Sequence, residues 1–378
     1  MKILYLVHAD NYHLQNWVPA LNREGIDVHL ATFQPFDVPG AKSVITLNPS
    51  GDRVRYRDFF MSTKQVKRIL EELTPDLLFC SFATTYGLLG QLTGFRPRVV
   101  QTWSRDVGAD PLMTAKQKAL IKFLGSYILK SADGITTDSF FYRKHLLDKF
   151  PQFEPKTIAT SWGIPTARLY KSDPVRTKKA WNLPLGSKII TSVRGLTYYY
   201  QPELIIPTLL RLVEGRDDLH ALLLTLNHKR GPKTEHWVKK AYNHPNIKVI
   251  DRLLDRNEMN EIWSISDFFV SMPLFDGVSE SVQEGAFLGS IPIVNEIPAN
   301  RELLEGGLQA FVTEQVTPET DSLVEVMEMA MNQTENILGE MKKKNRTFVE
   351  QKRNVQNTAL KLAEFLRGIA SIYNQKQT

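Results

Sequence analysis

The sequence predicts an α/β chain built from two doubly wound parallel-sheet domains, and three observations carry that expectation. Short continuous apolar runs alternate with longer amphipathic segments, the signature of strands covered by helices on both faces of a parallel sheet. The alternation restarts at Lys188 after a break over residues 169–186. At 378 residues the chain is long for one hydrophobic core and suits two.

In order along the chain, Ile3–Val7 reads as a buried strand, Leu14–Glu24 as a helix stopped by Gly25, and Val28–Thr32 as the next strand. Phe60–Leu73 reads as a helix, followed by strands Leu77–Phe82 and Arg98–Trp103. The second set opens with strand Lys188–Val193 and helix Glu203–Val213. Strands Ala221–Thr225, Ile247–Ile250, Phe268–Met272 and Ile291–Val294 follow, with helices between them. The expected domains are residues 1–170 and 171–335, joined near Ser172–Asn182, with ligands at the carboxyl ends of the strands in a cleft between the halves. From about Glu335 to Gln377 the chain is helical, polar and lysine-rich; its stripe of Phe348, Val355, Leu360, Leu362, Phe365 and Ile369 makes residues 336–378 an expected packing segment that returns across the cleft.

Composition narrows the function. Apolar residues at 42% and charged residues at 23% are ordinary globular values. A net charge of +6 favours an anionic ligand or an acidic membrane surface. No dense basic run with interleaved aromatics is present, so no nucleic-acid partner is expected. The nearest approach, Lys342, Lys343, Lys344 and Arg346, reads as a solvated helix face. Cys80 is the only cysteine, which rules out an intrachain disulfide and fits a reducing compartment. His8, Ala9, Asp10 and Asn11 cut the first apolar run too short for a signal peptide, and no run reaches the ~18 residues of a membrane span. The expected location is the cytoplasm, with any membrane contact peripheral and from the inner face.

The most informative stretch is Met272–Val294, MPLFDGVSESVQEGAFLGSIPIV. A strand ends at Met272, a loop crosses Asp276, Gly277, Val278 and Ser279, and a helix starts near Ser281. Backbone N–H groups at a helix start, with the positive end of the dipole behind them, suit a diphosphate. Asp276 in the loop and Glu284 in the first helical turn are spaced to face one ligand. An alternative is that Ser281 and Glu284 form a Ser-x-x-Glu capping box.

This stretch resembles the acidic-x7-acidic signature of the retaining glycosyltransferases of family four, which have the B-type fold of two Rossmann-like domains (GT-B). The resemblance implies that Glu284 holds the ribose hydroxyls of a nucleotide and that Asp276, where the family usually has Glu, touches the sugar hydroxyls. Gly285 to Pro292 resemble the family's small-residue helix and following strand. Arg194, at the end of the second half's first strand, resembles the arginine that binds the diphosphate, a role guanidinium suits because it binds phosphate oxygens bidentately. The family's lysine five residues later is here Tyr199, within Tyr198–Tyr200. Trp103, Ser104, Arg105 and Asp106 resemble a Gly-Ser-Asp-type segment near the sugar; Asp106 either orients a sugar hydroxyl or caps the next helix. Trp162–Pro165 resemble the Asn-Gly-Val-Asp strand end at the domain border. His8 lies where acceptor-side residues sit, or is structural.

The resemblance implies metal-independent, retaining transfer of a sugar from a nucleotide-sugar donor to a glycan, lipid-linked or small-molecule acceptor, in polysaccharide or cell-envelope synthesis. Asp106 and Asp276 are the candidate catalytic residues. Arg194, Gly277, Val278, Ser279, Glu280, Ser281 and Glu284 are the candidate donor-binding residues. No Asp-x-Asp pair, zinc-spaced Cys/His cluster, Walker loop or G-x-G-x-x-G is present, so no metal and no cofactor are expected. Two alternatives remain at this point: another GT-B enzyme, such as an epimerase or an inverting transferase, and a non-catalytic sugar-nucleotide-binding protein.

Overall fold

A computed structural model describes residues 1–8, 11–34, 36–48, 56–103, 106, 113–226 and 230–375. Ala9, Asp10, Ser104, Arg105 and Gln377 therefore lie outside the described residues. The chain divides into two compact units, one of Met1–Gly163 with Asn354–Thr378 and one of Ile164–Arg353.

Among the described residues the first unit holds seven strands: β1 (Lys2–Leu6), β2 (Asp27–Thr32), β3 (Ser43–Thr46), β4 (Leu77–Ser81), β5 (Arg98–Thr102), β6 (Gly134–Thr137) and β7 (Thr157–Ala159). They pair throughout in parallel, in the order β3-β2-β1-β4-β5-β6-β7. Alternation along each strand fills two cores. Ile3, Tyr5, Val28 and Phe79 face one layer, and Leu4, Leu6, Leu78 and Cys80 the other. The order reverses between β1 and β4, so the loops after these strands flank the point where doubly wound sheets bind ligands.

The second unit holds β8 (Lys188–Ser192), β9 (Leu219–Leu224), β10 (Ile247–Ile250), β11 (Phe268–Ser271), β12 (Ile291–Asn295) and β13 (Phe311–Thr313). These six are parallel as well, ordered β10-β9-β8-β11-β12-β13, with the reversal between β8 and β11. Ile190, Val270 and Ile293 pack into one core, while Ile189, Phe269 and Val294 pack into the other against Trp263 and Ala286.

Some expectations change in detail. Residues 164–170 belong to the second unit, and Pro174–Ala180, expected in the joining region, is a helix of that unit capped by Asp173. The expected single segment 336–378 is two helices. Glu335–Lys352 lies in the second unit and Val355–Gln375 in the first, where it packs on the helix Leu14–Arg23. Leu360 faces solvent instead of joining the stripe. At the border, Gly163 has φ +77°, and a Cβ there would sit 2.6 Å from the Val355 Cα and against the Thr358 hydroxyl, so a side chain is excluded twice over.

Candidate functional site

In the second unit, the site grows from the two strands at the reversal. Arg194 stands two residues beyond β8, and Asp276 lies in the loop after β11. That loop is pinned at three points. Leu274 N–H donates to the Tyr199 carbonyl (2.7 Å), Gln201 Nε2 to the Met272 carbonyl (2.9 Å), and Asn295 Nδ2 to the Pro273 carbonyl (2.8 Å).

The helix Glu280–Leu288 follows, with Ser279 as its N-cap; the Ser279 hydroxyl accepts from Val282 N–H. The sequence placed the start near Ser281 and allowed a Ser281–Glu284 box. With the cap at Ser279, Glu284 falls in the second turn, not the first, and the box does not form. Ser279 takes the cap because its extended backbone (φ −61°, ψ 118°) precedes the first helical residue, whereas Ser281 is already helical.

Arg194 is drawn onto this helix start. Its Nη1 donates to the hydroxyls of Ser279 (2.8 Å) and Ser281 (2.6 Å), and its Nη2 donates to the Tyr200 hydroxyl (2.9 Å) and pairs with Asp276. The guanidinium carbon also sits 4.4 Å from the centre of the Tyr200 ring. Asp276 accepts from Gly277 N–H at 2.9 Å through its other oxygen. Burial pushes the Asp276 carboxyl above the usual range, with Arg194 and the Gly277 N–H pulling the other way. Val278 packs against the core beside Trp263, and Glu280 is the first helical residue, where an acidic side chain suits the dipole.

Glu284 is buried and accepts from Arg256 Nη1 at 2.7 Å. Asp276 and Glu284, expected to face one ligand together, are thus each held by a different arginine. Sequence reading missed Arg256. Its signal is an arginine in the first turn of the helix Arg256–Ile265, where a cation opposes the dipole and needs a carboxylate partner to stay.

In the first unit, His8 follows β1, and a π-helical turn, Phe82–Gly87, follows β4. The Tyr86 hydroxyl lies 3.4 Å from His8 Nδ1. Phe82 opens the turn with φ +61°, a left-handed backbone that a non-glycine residue adopts only where its surroundings impose it. Asp106 is one such constraint. Its carboxylate accepts from Trp103 N–H (3.0 Å) and from the Thr84 N–H (3.4 Å) and hydroxyl (3.3 Å), tying the π turn to the end of β5. Burial raises the Asp106 carboxyl pKa, and these hydrogen bonds oppose the rise. Asp106 does not cap the next helix: Ala115–Ser131 is capped by Thr114 in a capping box with Gln117. His8, Thr84, Thr85 and Asp106 line one cavity of about 310 Å³. Trp162 stacks on His13 at 4.9 Å beside Trp17 and Trp103, an aromatic cluster at the border segment that residues 162–165 marked. Among the described residues no group of three or more His, Cys, Asp or Glu is arranged to hold a metal ion.

Comparison with known proteins agrees with this architecture. Residues 2–139 match the family described as Glycosyl transferase 4-like. A glycosyltransferase from Rickettsia africae superposes with a TM-score of 0.78 at 14% identity, covering 97% of this chain and 98% of that one. Sucrose-phosphate synthase from Thermosynechococcus elongatus gives 0.77 at 13% identity, over 98% and 100%. HepE from Anabaena, in complex with UDP and glucose, gives 0.73 at 14% identity, over 97% and 100%. No curated protein sequence is a significant match. Residues 2–139 thus resemble the glycosyl transferase 4-like domain, and the two parallel doubly wound sheets have the GT-B fold of these solved structures.

Proposed function

We propose that the second unit binds the nucleoside diphosphate of a nucleotide-sugar donor at the loop after β11, and that the chain transfers the sugar, with retention at the anomeric carbon, to a glycan, lipid-linked or small-molecule acceptor. One observation carries the reading: the Arg194 guanidinium is fixed on the hydroxyls of Ser279 and Ser281, so a cation, two hydroxyls and a helix N-terminus converge at one place. HepE, similar in fold, is known in complex with UDP-glucose, which supports a donor of this class.

In this reading the diphosphate oxygens exchange with Asp276 for Arg194, and the freed carboxylate accepts from a sugar hydroxyl. Glu284 accepts from the ribose hydroxyls while Arg256 holds it in place. The bond from the anomeric carbon to the diphosphate oxygen breaks, and a bond to the acceptor oxygen forms on the same face. The acceptor proton passes to the leaving phosphate. Arg194 and the amides of Gly277 to Ser281 stabilise the charge that builds on the diphosphate. Asp106 holds the π turn that shapes the cavity beside His8, where the acceptor group is received. Metal plays no part in the step. A nucleotide-sugar donor and a lone buried cysteine both fit the cytoplasm.

Calorimetric titration with UDP, GDP and their nucleosides, with and without EDTA, tests the reading. The diphosphates are expected to bind at least tenfold tighter, whether or not EDTA is present. Arg194→Ala removes a charge-assisted contact of about 1.5–3 kcal/mol, roughly 10–150-fold in affinity. Equal binding of nucleoside and diphosphate, or diphosphate binding that EDTA abolishes, overturns it. NMR of the product anomer separates retention from inversion.

A further inference from the structure

In the first unit, Lys118, Ile121, Lys122, Gly125 and Leu129 follow one another at spacings of three and four residues along the helix Ala115–Ser131, so they share one face. That face and the end of the helix Phe140–Lys149 enclose a pocket of about 190 Å³. Lys149 lines it together with Lys118 and Lys122, and its Nζ lies 2.8 Å from His145 Nε2. Gathering three ammonium groups at one pocket costs electrostatic energy, and partial burial together with Lys122 and Lys118 lowers the Lys149 pKa. Among the described residues that line the pocket, Asp106 is the one acid. Its carboxylate is taken up by Trp103 N–H and by Thr84, and its carbonyl is the part that overlies Gly125, where a Cβ would sit 3.5 Å from that oxygen. Asp106 and Ile121 also line the cavity of about 310 Å³ beside His8, so the two spaces adjoin. Sites that hold a whole small ligand run from about 300 to 1,000 Å³. The His8 cavity reaches that range and the lysine pocket falls short of it, which suits the smaller space to one group of a ligand whose body lies next door.

We propose that the acceptor carries a phosphate monoester, which Lys118, Lys122 and Lys149 receive while the hydroxyl to be glycosylated lies in the cavity beside His8. The inference rests on the reading that the first unit takes the acceptor there, and it is independent of the donor chemistry. Number favours phosphate over carboxylate. A phosphate monoester presents three terminal oxygens and close to two charges to three ammonium groups, whereas a carboxylate presents two oxygens and one charge. Lysine suits the task, since each ammonium acts as a point charge that rotates to meet an oxygen and needs no planar partner. The rest of the pocket strengthens the attraction. Ile121, Leu129, Leu146 and Phe150 give it apolar walls, and charges interact more strongly where water is partly displaced. An anion there also relieves the repulsion among the three lysines that the unliganded chain carries.

Calorimetric titration of the full chain tests it, with glucose 6-phosphate as the probe for a sugar phosphate and dihexanoyl phosphatidate, below its micellar concentration, as the probe for a lipid phosphate. At least one of the two is expected to bind, and glucose 6-phosphate, if it is the one, to bind more tightly than glucose or glucuronate. Lys118→Gln with Lys122→Gln is expected to weaken that binding roughly 25-fold, at about fivefold for each exposed charge pair. Its melting temperature should stay at or above that of the wild type, since both side chains face water and like charges are removed. Lys122→Arg keeps the charge and should keep the binding. Arg194→Ala should keep it too, while the lysine variants bind UDP as the wild type does, so the two sites are read separately. Failure of both phosphates to bind overturns the proposal. So does glucuronate binding as tightly as glucose 6-phosphate, full binding by the folded double-lysine variant, or loss of binding in Arg194→Ala.

Discussion

Glu284 carries two assignments that a pair of substitutions can separate. In the structure it is the partner of Arg256, at 2.7 Å, with side-chain exposures of 9% for the glutamate and 26% for the arginine. Breaking a fully buried pair costs about 3–5 kcal/mol and a surface pair about 0–1 kcal/mol, so this half-sheltered pair falls roughly between them, near 1–3 kcal/mol. Glu284→Gln keeps an oxygen for Arg256 and loses only the charge, a change on the order of 1 kcal/mol. In a unit of this size that lowers Tm by about 2–4 °C. Arg256→Met does more damage, because it leaves a carboxylate buried with its cation gone. Nucleotide affinity divides the two assignments. If Glu284 accepts from ribose hydroxyls, Glu284→Gln lowers UDP or GDP affinity about tenfold, the loss of charge assistance over one or two bonds. Arg256→Met leaves the carboxylate in place and lowers affinity by less. Calorimetry on both single variants and the double variant, with melting curves alongside, reads each quantity. Unchanged affinity in a folded Glu284→Gln protein, with a melting shift that the double variant shows to be wholly shared with Arg256, refutes the ribose assignment.

Three further outcomes are expected. Asp276→Asn removes the carboxylate that competes for Arg194, so diphosphate affinity rises severalfold by calorimetry while turnover of the nucleotide sugar falls; a parallel fall in both would mean that Asp276 serves only to hold Arg194. Gly285→Ala puts a methyl 2.9 Å from Trp263 Cζ3, against a ring in the core that cannot yield, and is expected to cost about 1–3 kcal/mol in a denaturant titration, whereas an unchanged midpoint would show that the helix can shift. The Glu258 carboxyl is held down at about 2 by hydrogen bonds from Arg252 and the Asp255 N–H. Its folded pKa lies below the unfolded value near 4.3, so the stability it gives is present above pH ~4.3 and fades as pH falls toward 2. The melting difference between wild type and Glu258→Gln, which keeps the capping oxygen, should accordingly be larger at pH 6 than at pH 3.

The parts of the fold legible in the sequence are those with a strong local signal. Stretches such as Ile3–Leu6 and Phe268–Val270 are continuous apolar runs, and burial on both faces demands that composition. The strands that escaped, β3, β6, β7 and β13, have three or four residues, and β6 reads Gly-Ile-Thr-Thr. Their place in the sheet comes from neighbours already paired, which no local window contains. The division of residues 336–378 between two units was hidden for a related reason. An apolar stripe says that a helix packs, not on what. In the site, Asp276, Arg194 and the helix after Ser279 were legible because strand end, loop and helix start are adjacent in sequence. Arg256 was not, since its meeting with Glu284 joins two separate helices.

The Arg194 cluster also bears on whether that arginine is a surface salt bridge. An exposed pair at a strand end would give little stability and would need no further partners. Here four partners converge on one guanidinium, and two of them, Ser279 and Ser281, are hydroxyls at a helix start that can turn their donors toward an anion as readily as they accept from Arg194. Asp276 is the member a diphosphate would replace. Burial disfavours its charge, so parting it from Arg194 is favourable only where a hydroxyl donor takes the place of the cation. Without ligand, the carboxylate keeps the arginine aimed and its charge compensated. In the proposed reading, ligand releases the same carboxylate beside the place of a sugar hydroxyl. One short loop after β11 would thereby couple diphosphate binding to sugar recognition, through an exchange of partners around a cation that stays fixed.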